Sequence, residues 1–156
     1  MGSTLTVASS HGAAQSSTLD VLITGSATGT AAVNTIVGGA GTETINGMGG
    51  ADSLTSGTGP DTFAFNSGDT SNQAAYTTIK GFKAGDTIDL SAVDPSFHIV
   101  TALDGHAHEL VIRNDGNGQW DIYGDINGSG TTSATADFLV HFTGATTTLV
   151  PADIHL

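Results

Sequence analysis

The chain has 156 residues, and its 15 Asp and Glu against 3 Lys and Arg give a net charge of −12. This balance argues against a nucleic-acid-binding protein, because such proteins neutralise phosphates with Lys and Arg. Hydrophobic residues make up 38% and aromatic residues 6% of the chain, which predicts one domain, or one with a small annex, around a slim β core.

The beginning of the chain carries few structural signals. Residues 1–18 are predicted to be a flexible N-terminal segment or the remnant of an expression tag. Residues 19–24, LDVLIT, predict a strand that leads into a glycine-rich region. The sequence contains no cysteine, which fits a chain stabilised by metal rather than by disulfides, and it contains no stretch that could span a membrane.

Residues 38–64 consist of three nine-residue blocks, GGAGTETIN, GMGGADSLT and SGTGPDTFA. Each block has small residues at its front, an acid at its sixth position and an apolar residue at its eighth. Residues 29–37, GTAAVNTIV, form a degenerate fourth block with Asn34 at the sixth position and Ile36 at the eighth. The acids of the three full blocks are Glu43, Asp52 and Asp61, and their apolar residues are Ile45, Leu54 and Phe63.

This nonapeptide period is the signature of a calcium-binding parallel β-roll, and the chain therefore resembles the RTX (repeat-in-toxin) family. In a roll of two facing sheets, consecutive blocks lie on opposite sheets, so that same-side neighbours are two blocks apart. That spacing stacks Ile36 on Leu54 and Ile45 on Phe63, which gives a narrow apolar core.

The resemblance implies ions held between same-side turns by two acidic side chains and several main-chain carbonyls. Calcium suits such sites because it accepts 6–8 oxygen ligands in flexible geometry. The Asn34–Asp52 pair supplies one carboxylate and the Glu43–Asp61 pair supplies two, which predicts one or two weak sites. The carbonyl candidates are those of Gly39, Gly41, Gly47 and Gly49.

The remainder of the chain predicts an all-β cap. Five short alternating runs, FHIVTAL, HELVIRN, QWDIYGDI, DFLVHF and ADIHL, are separated by turn sequences. They predict an antiparallel meander or sandwich that caps the roll. The predicted domains are therefore the segment 1–18, the RTX β-roll 19–73 and the C-terminal cap 74–156.

A closer resemblance rests on GTGPDTFAF, GFKAGDTIDLS and ADFLVHFTG, which are similar to the C-terminal domain of serralysin-type proteases. In that family, acids just after the roll and in the GDTIDLS turn often complete peripheral ion sites, which makes Asp69 and Asp86 further metal candidates. The alternative is that such acids cap turns through backbone amides.

The segment GDINGSGTTSATADF resembles the start of an EF-hand loop, with Asp125 and Asn127 at the first and third ligand positions. A serine replaces the usual third acid and the loop is too long, so that a surface hairpin loop is the favoured interpretation over an ion site. His106 and His108 beside Glu109 offer zinc-ligand types, but the H-E-x-x-H pattern on a helix is missing and solvated side chains are favoured.

No catalytic constellation is found, so a non-enzymatic module is expected, and the resemblance implies that it is secreted and binds calcium ions. Its last residues, DIHL, resemble the uncleaved C-terminal signal of type I secretion, which implies the type I secretion machinery as a partner; a final β-strand is the other interpretation. The alternative function is the C-terminal domain of a surface-layer or adhesin protein, in which calcium mediates self-association or contact at the cell surface.

Overall fold

The computed structural model describes residues 3–6, 17–20, 25–69 and 76–156. Of the predicted segment 1–18 it therefore covers residues 3–6 and 17–18, and the rest of that prediction lies outside the described residues. The predicted strand 19–24 is covered at residues 19–20, which belong to a strand, whereas residues 21–24 lie outside the described part. In the described part, no helix has the length and apolar character needed to cross a membrane.

The secondary structure of the described residues is almost entirely β. The strands are β1 Ser3–Thr6, β2 Ser17–Asp20, β3 Gly25–Thr28, β4 Asn34–Val37, β5 Glu43–Asn46, β6 Ser53–Thr55, β7 Thr62–Asn66, β8 Thr77–Lys80, β9 Thr87–Ala92, β10 His98–Val100, β11 Glu109–Gly116, β12 Gln119–Asp125, β13 Phe138–Thr143 and β14 Ile154–His155. Among the described residues, a 3₁₀ turn, Pro151–Asp153, leads into β14.

The strands form two sheets. The first sheet has the order β1-β3-β5-β7-β9-β14, and the second has the order β10-β11-β12-β13-β8-β6-β4-β2. Consecutive strands from β3 to β9 alternate between the sheets, and their neighbours within each sheet pair in parallel. The predicted all-β fold with a parallel β-roll is therefore confirmed.

The apolar eighth positions of the blocks form the core of the roll. Ile45 is paired with Phe63 and Ile36 with Leu54, at the predicted offset of two blocks. Small residues at the turns allow this tight rolling, while the inward apolar side chains remove their surface from water. The column of the first sheet contains Ala27, Ile45, Phe63, Ile88 and Ile154, that of the second contains Ile36, Leu54, Ile79 and Phe142, and all of these are buried.

The roll continues beyond the third full block. Phe63 pairs with Ile88 and Leu54 with Ile79, at offsets longer than two blocks. Residues 81–89, GFKAGDTID, are thus a further block, with Asp86 at the sixth position and Ile88 at the eighth. The additional residues between β7 and β8 interrupt the nine-residue period. A search for consecutive blocks therefore does not find the block 81–89.

The C-terminal meander extends the roll instead of forming a separate layer. β11, β12 and β13 are antiparallel, as predicted for the cap, whereas the run that forms β10 pairs with β11 in parallel. β13 then pairs in parallel with β8 of the second sheet. β14 pairs in parallel with β9 at the end of the first sheet. The predicted division of the chain at residues 73 and 74 lies outside the described residues and stays a prediction.

Candidate metal-binding turns of the roll

The sixth positions of the blocks are brought together along the two edges of the roll. The turns that lead into β4 and β6 form one edge, here called the Asp52 edge, which carries the sixth-position residues Asn34 and Asp52; Asp69, which follows β7, is close enough for its charge to act on Asp52. The turns that precede β5, β7 and β9 form the Asp61 edge, which carries Glu43, Asp61 and Asp86. These side chains are buried although five of the six are acids, so their charges need a partner.

A ladder of hydrogen bonds links stacked turns through these side chains. The backbone N–H of Glu43 donates to Oδ1 of Asp61 at 3.2 Å, and that of Asp61 donates to Oδ1 of Asp86 at 3.0 Å. On the other edge, the N–H of Asn34 donates to Oδ1 of Asp52 at 2.8 Å. Each of these three aspartates therefore uses one oxygen to bind the turn stacked before it.

The second oxygen of most sixth-position side chains closes the turn to which it belongs. The N–H of Gly39 donates to Oε2 of Glu43 at 3.0 Å, and the N–H of Gly57 donates to Oδ2 of Asp61 at 2.8 Å. Asp52 differs, because the corresponding N–H, that of Met48, donates to Oδ1 of Asn46 at 2.7 Å. The turn of Asp52 consequently leaves a carboxylate oxygen available.

Two buried carboxylate oxygens, Oε1 of Glu43 and Oδ2 of Asp52, have no hydrogen-bond partner among the described residues. Burial, together with the adjacent carboxyl of Asp61, raises the pKa of Glu43. Burial also raises the pKa of Asp52 to about 7, with a further contribution from the charge of Asp69. Both shifts mean that these carboxylates are costly to ionise where they lie, unless a cation accompanies them.

Main-chain carbonyls crowd the same turns, in an arrangement that only glycine permits. A Cβ on Gly57 would overlap the carbonyl oxygen of Gly39, and one on Gly59 would overlap that of Gly41. On the Asp52 edge, a Cβ on Gly47 would overlap Oδ2 of Asp52 itself. Gly49 is less constrained, because its Cβ would lie 3.7 Å from Cα of Ala31, an ordinary contact.

This donor set fits calcium. It consists of carboxylate and carbonyl oxygens, the hard ligands that calcium takes, and it includes buried oxygens with unused acceptor capacity. In the part of the chain that the structure describes, no histidine joins the ladder of hydrogen bonds on either edge, and the sequence has no cysteine, so that a softer metal such as zinc fits less well. The sequence-predicted set Asn34, Glu43, Asp52 and Asp61 thus lies in two places suited to a divalent cation.

Lys83 contacts two acids of the Asp61 edge, although the sequence pattern did not single it out. Its Nζ lies 2.9 Å from Oδ1 of Asp86 and 3.7 Å from Oδ2 of Asp61, and it also donates to Oγ of Ser56. The backbone N–H of Lys83 donates to Oδ2 of Asp86 at 3.0 Å. Asp86 therefore caps its own turn, as the alternative interpretation of that residue held, while its other oxygen joins the ladder.

Asp69 follows β7 and lies close to the Asp52 edge. Its Oδ2 accepts hydrogen bonds from the N–H of Asn66 at 2.7 Å and from Nδ2 of the same residue at 2.9 Å. Its charge is close enough to contribute to the raised pKa of Asp52. Asp69 therefore closes a turn, and its charge acts on Asp52, which has an oxygen without a hydrogen-bond partner among the described residues.

Asp125 and Asn127 are placed apart from the roll turns, in the loop between β12 and β13. Oδ1 of Asp125 accepts from the N–H groups of Asn127, Gly128 and Ser129, and its Oδ2 accepts from that of Gly130 at 2.6 Å. Four backbone donors thus satisfy this buried carboxylate. Asn127 in turn donates from Nδ2 to Asp137 at 3.0 Å. These contacts describe a self-contained hydrogen-bonded loop, and an ion site there stays a prediction.

Near the same loop, the turn before β11 gathers Asp104, His106 and Glu109, whose potential ligand atoms lie within 4.8 Å of one another. His106 forms a hydrogen bond with Asp104, which lowers the pKa of that carboxyl. Oε2 of Glu109 accepts from the N–H of Asp104 at 2.9 Å, while His108 contacts Asp94. The group is mostly exposed, and its hydrogen bonds serve to close the turn.

Comparison with known proteins gives two similarities. The family model described as peptidase M10 serralysin C terminal matches residues 14–155. The solution structure of the AlgE6R3 subunit from the Azotobacter vinelandii mannuronan C5-epimerase is similar with a TM-score of 0.54 and 23% sequence identity, covering 85% of this chain and 73% of that one. At that identity the likeness concerns the fold alone. No protein with a curated description matches the chain.

Proposed function

Since the chain belongs to the family of peptidase M10 serralysin C-terminal domains, we propose that it is a calcium-dependent folding and export module of a larger secreted protein. The family is the non-catalytic C-terminal part of serralysins, and domains of this type belong to secreted proteins. The proposal concerns the finer points: the ion, its coupling to folding and the export signal.

The observation that carries the proposal is the pair of buried carboxylate oxygens without hydrogen-bond partners in the described residues, Oε1 of Glu43 and Oδ2 of Asp52. On the Asp61 edge, a calcium ion would be held by Glu43 and Asp61 with the carbonyls of Gly39 and Gly41. On the Asp52 edge, Asn34 and Asp52 would hold it with the carbonyls of Gly47 and Gly49. Both sets consist of oxygen ligands from stacked turns.

Calcium binding and folding are coupled in this arrangement. The ligands of each site come from two turns that are separated by a whole block of the sequence and meet only when the roll is formed. A chain with a net charge of −12 also repels itself until cations are bound. The ion consequently stabilises the folded state by its whole binding free energy, provided that the unfolded chain binds it weakly.

Export is the biological context that this coupling suits. In a cell interior poor in free calcium, the acidic chain stays unfolded, and it folds on reaching an exterior rich in calcium. The C-terminal residues Asp153 to Leu156 carry the acid-then-apolar pattern of a type I secretion signal, within the 3₁₀ turn and β14. We propose the type I secretion machinery as the partner and the extracellular space as the location.

The test is calcium titration of metal-free protein by isothermal calorimetry, with far-UV circular dichroism followed in parallel. We expect saturable binding accompanied by a gain of β signal, and we expect magnesium at the same concentration to produce less of both, since it demands stricter octahedral geometry. Trp120, the only tryptophan, is buried in β12 and reports on the meander by its fluorescence.

A matched pair of variants assigns the binding to the roll. Glu43→Gln removes a carboxylate from the Asp61 edge, whereas Asp115→Asn removes one from the tip of β11, where it pairs with Arg113. The first is expected to weaken calcium binding and the second to leave it unchanged. Full β signal in metal-free protein, indifferent to added calcium, would refute the proposal.

A further inference from the structure

The block 81–89 has a cationic residue at a position where the other blocks have small ones. The third residue is Lys83 in this block, whereas it is Ala31, Ala40, Gly49 or Thr58 in the four blocks before it. Because Ile88 stacks on Phe63, this block supplies the turn that follows Ser56–Asp61 on the Asp61 edge. Lys83 therefore lies between the last two turns of that edge.

The side chain of Lys83 turns inward, to the carboxylates. Its ammonium contacts Oδ1 of Asp86 at 2.9 Å, Oδ2 of Asp61 at 3.7 Å and the hydroxyl of Ser56. The side chains of both acids are 0% exposed, while that of Lys83 is 24% exposed. The contact thus differs from an ion pair between solvated side chains, which contributes little to stability.

The ammonium lies in the interval between the turns of Asp61 and Asp86. The equivalent interval one turn earlier lies between Glu43 and Asp61. In both intervals an acid of the later turn accepts the N–H of the acid before it. One interval contains a carboxylate oxygen of Glu43 without a partner in the described residues, and the other contains an ammonium group. The two intervals share this hydrogen bond between stacked acids and differ in the source of positive charge.

We propose that Lys83 is a tethered cation that takes the place of a calcium ion in the last turn interval of the Asp61 edge. This inference rests on the proposed calcium sites and limits the number of calcium ions that the Asp61 edge can bind. The three acids Glu43, Asp61 and Asp86 carry three negative charges, which one calcium ion and one ammonium balance. Lys83 neutralises the interval between Asp61 and Asp86 without a metal ion. The Asp61 edge therefore binds one calcium ion.

The experiment counts ions in a variant without the ammonium. Lys83→Met keeps the length of the side chain and removes its charge, so that Asp61 and Asp86 face each other as Glu43 and Asp61 do. Calorimetric titration of the metal-free variant with calcium is expected to give one more bound ion per chain than the unmodified protein. The control is Lys80→Met, since Lys80 is exposed at the end of β8, and it is expected to leave the ion count unchanged.

The ion counts separate this inference from the proposed function. An unmodified protein that binds no calcium, with a Lys83→Met variant that binds one ion, would refute the calcium module and support the tethered cation. A Lys83→Met variant that binds no more calcium than the unmodified protein would overturn the inference, whatever the unmodified protein binds.

A second measurement uses the unmodified protein and does not depend on the variant folding. In saturating calcium, an amine-reactive reagent is expected to modify Lys83 several-fold more slowly than Lys80, with the sites quantified by peptide mass spectrometry. The reason is that the ammonium of Lys83 is engaged by two buried carboxylates and a hydroxyl, whereas Lys80 is exposed. Equal rates at the two lysines would overturn the inference.

Discussion

The backbone N–H of Asn34 donates to Oδ1 of Asp52, a residue 18 positions later in the chain, at 2.8 Å. The same relationship joins Glu43 to Asp61 and, with an offset of 25, Asp61 to Asp86. The acids of the repeat therefore have two roles. One oxygen fastens the stacked turns to each other, and the other closes a turn or is left for a cation.

Asp52→Asn is predicted to have opposite effects with and without calcium. The amide oxygen still accepts the N–H of Asn34, but the ligand charge is lost, so we expect calcium affinity to fall by roughly tenfold or more. In metal-free buffer at pH 8 the variant is expected to be more stable than the unmodified protein, because it no longer buries a charge. Calorimetry and thermal unfolding measure the two effects, and Asp115→Asn serves as the surface control.

The metal-free protein is predicted to gain stability on acidification. The pKa of Asp52 is about 7 in the folded protein against an ordinary value of 3.8, and that of Glu43 is shifted in the same direction. A raised folded-state pKa gives stability that is fully present below the unfolded value and is lost as the pH rises through the folded value.

For Asp52 this window runs from about 4 to about 7, and the effect is on the order of 2–4 kcal/mol. Circular dichroism of metal-free protein between pH 8 and pH 5 is the measurement, with a larger folded fraction expected at pH 5. The Asp52→Asn variant should show a smaller dependence. A folded fraction that grows as the pH rises over this range would contradict the assignment.

Gly57→Ala is predicted to disrupt the roll, and Gly49→Ala to be tolerated. The added methyl group at Gly57 would overlap the carbonyl of Gly39, a proposed calcium ligand, whereas at Gly49 it would make an ordinary contact with Ala31. Thermal unfolding in saturating calcium and the calcium affinity should both fall in the first variant. Near-equal behaviour of the two variants would show that the turns are not packed as closely as described.

Leu54→Ala is predicted to destabilise the calcium-bound protein by about 2–5 kcal/mol, since Leu54 is fully buried between Ile36 and Ile79 in the core column. Val33→Ala is the control, because Val33 is 44% exposed and its truncation is expected to change stability by less than about 0.5 kcal/mol. Denaturant unfolding followed by circular dichroism gives both values. A Leu54→Ala variant as stable as the Val33→Ala variant would contradict the core column.

The repeat pattern predicted much of the roll because each position of the nine-residue period has a fixed place in the rolled structure. A fixed period of nine, with an apolar eighth position, predicted the offset at which Ile45 meets Phe63 and Ile36 meets Leu54, and both pairings are confirmed. The resemblance to the RTX and serralysin-type families is likewise confirmed by the matched family and the fold. Turns and stacking between neighbouring blocks can be predicted because they depend on residues that are close together in the sequence.

The continuation of the roll through 81–89 was missed because the segment between β7 and β8 is longer than in the preceding blocks and interrupts the nine-residue period. The signal was present in GFKAGDTID, which has an acid at its sixth position and Ile88 at its eighth. The role of Lys83 was beyond the pattern for a different reason, since the third position of a block does not reveal where its side chain points. The complete set of metal ligands stays a prediction. Any residue has a main-chain carbonyl, so the residue types do not show which carbonyls bind an ion.

The pairing of β13 with β8 and of β14 with β9 also has a consequence for the speed of folding. Ile154 lies beside Ile88, and all residues from β10 to β13 separate the two in the chain, so this pairing joins parts of the sequence that are far apart. Contacts between such distant parts of a chain form slowly, because the chain loses the conformational entropy of the intervening loop before the contact stabilises it. A sudden rise in calcium would therefore be followed by a delay, and the slow step would be strand assembly instead of ion capture.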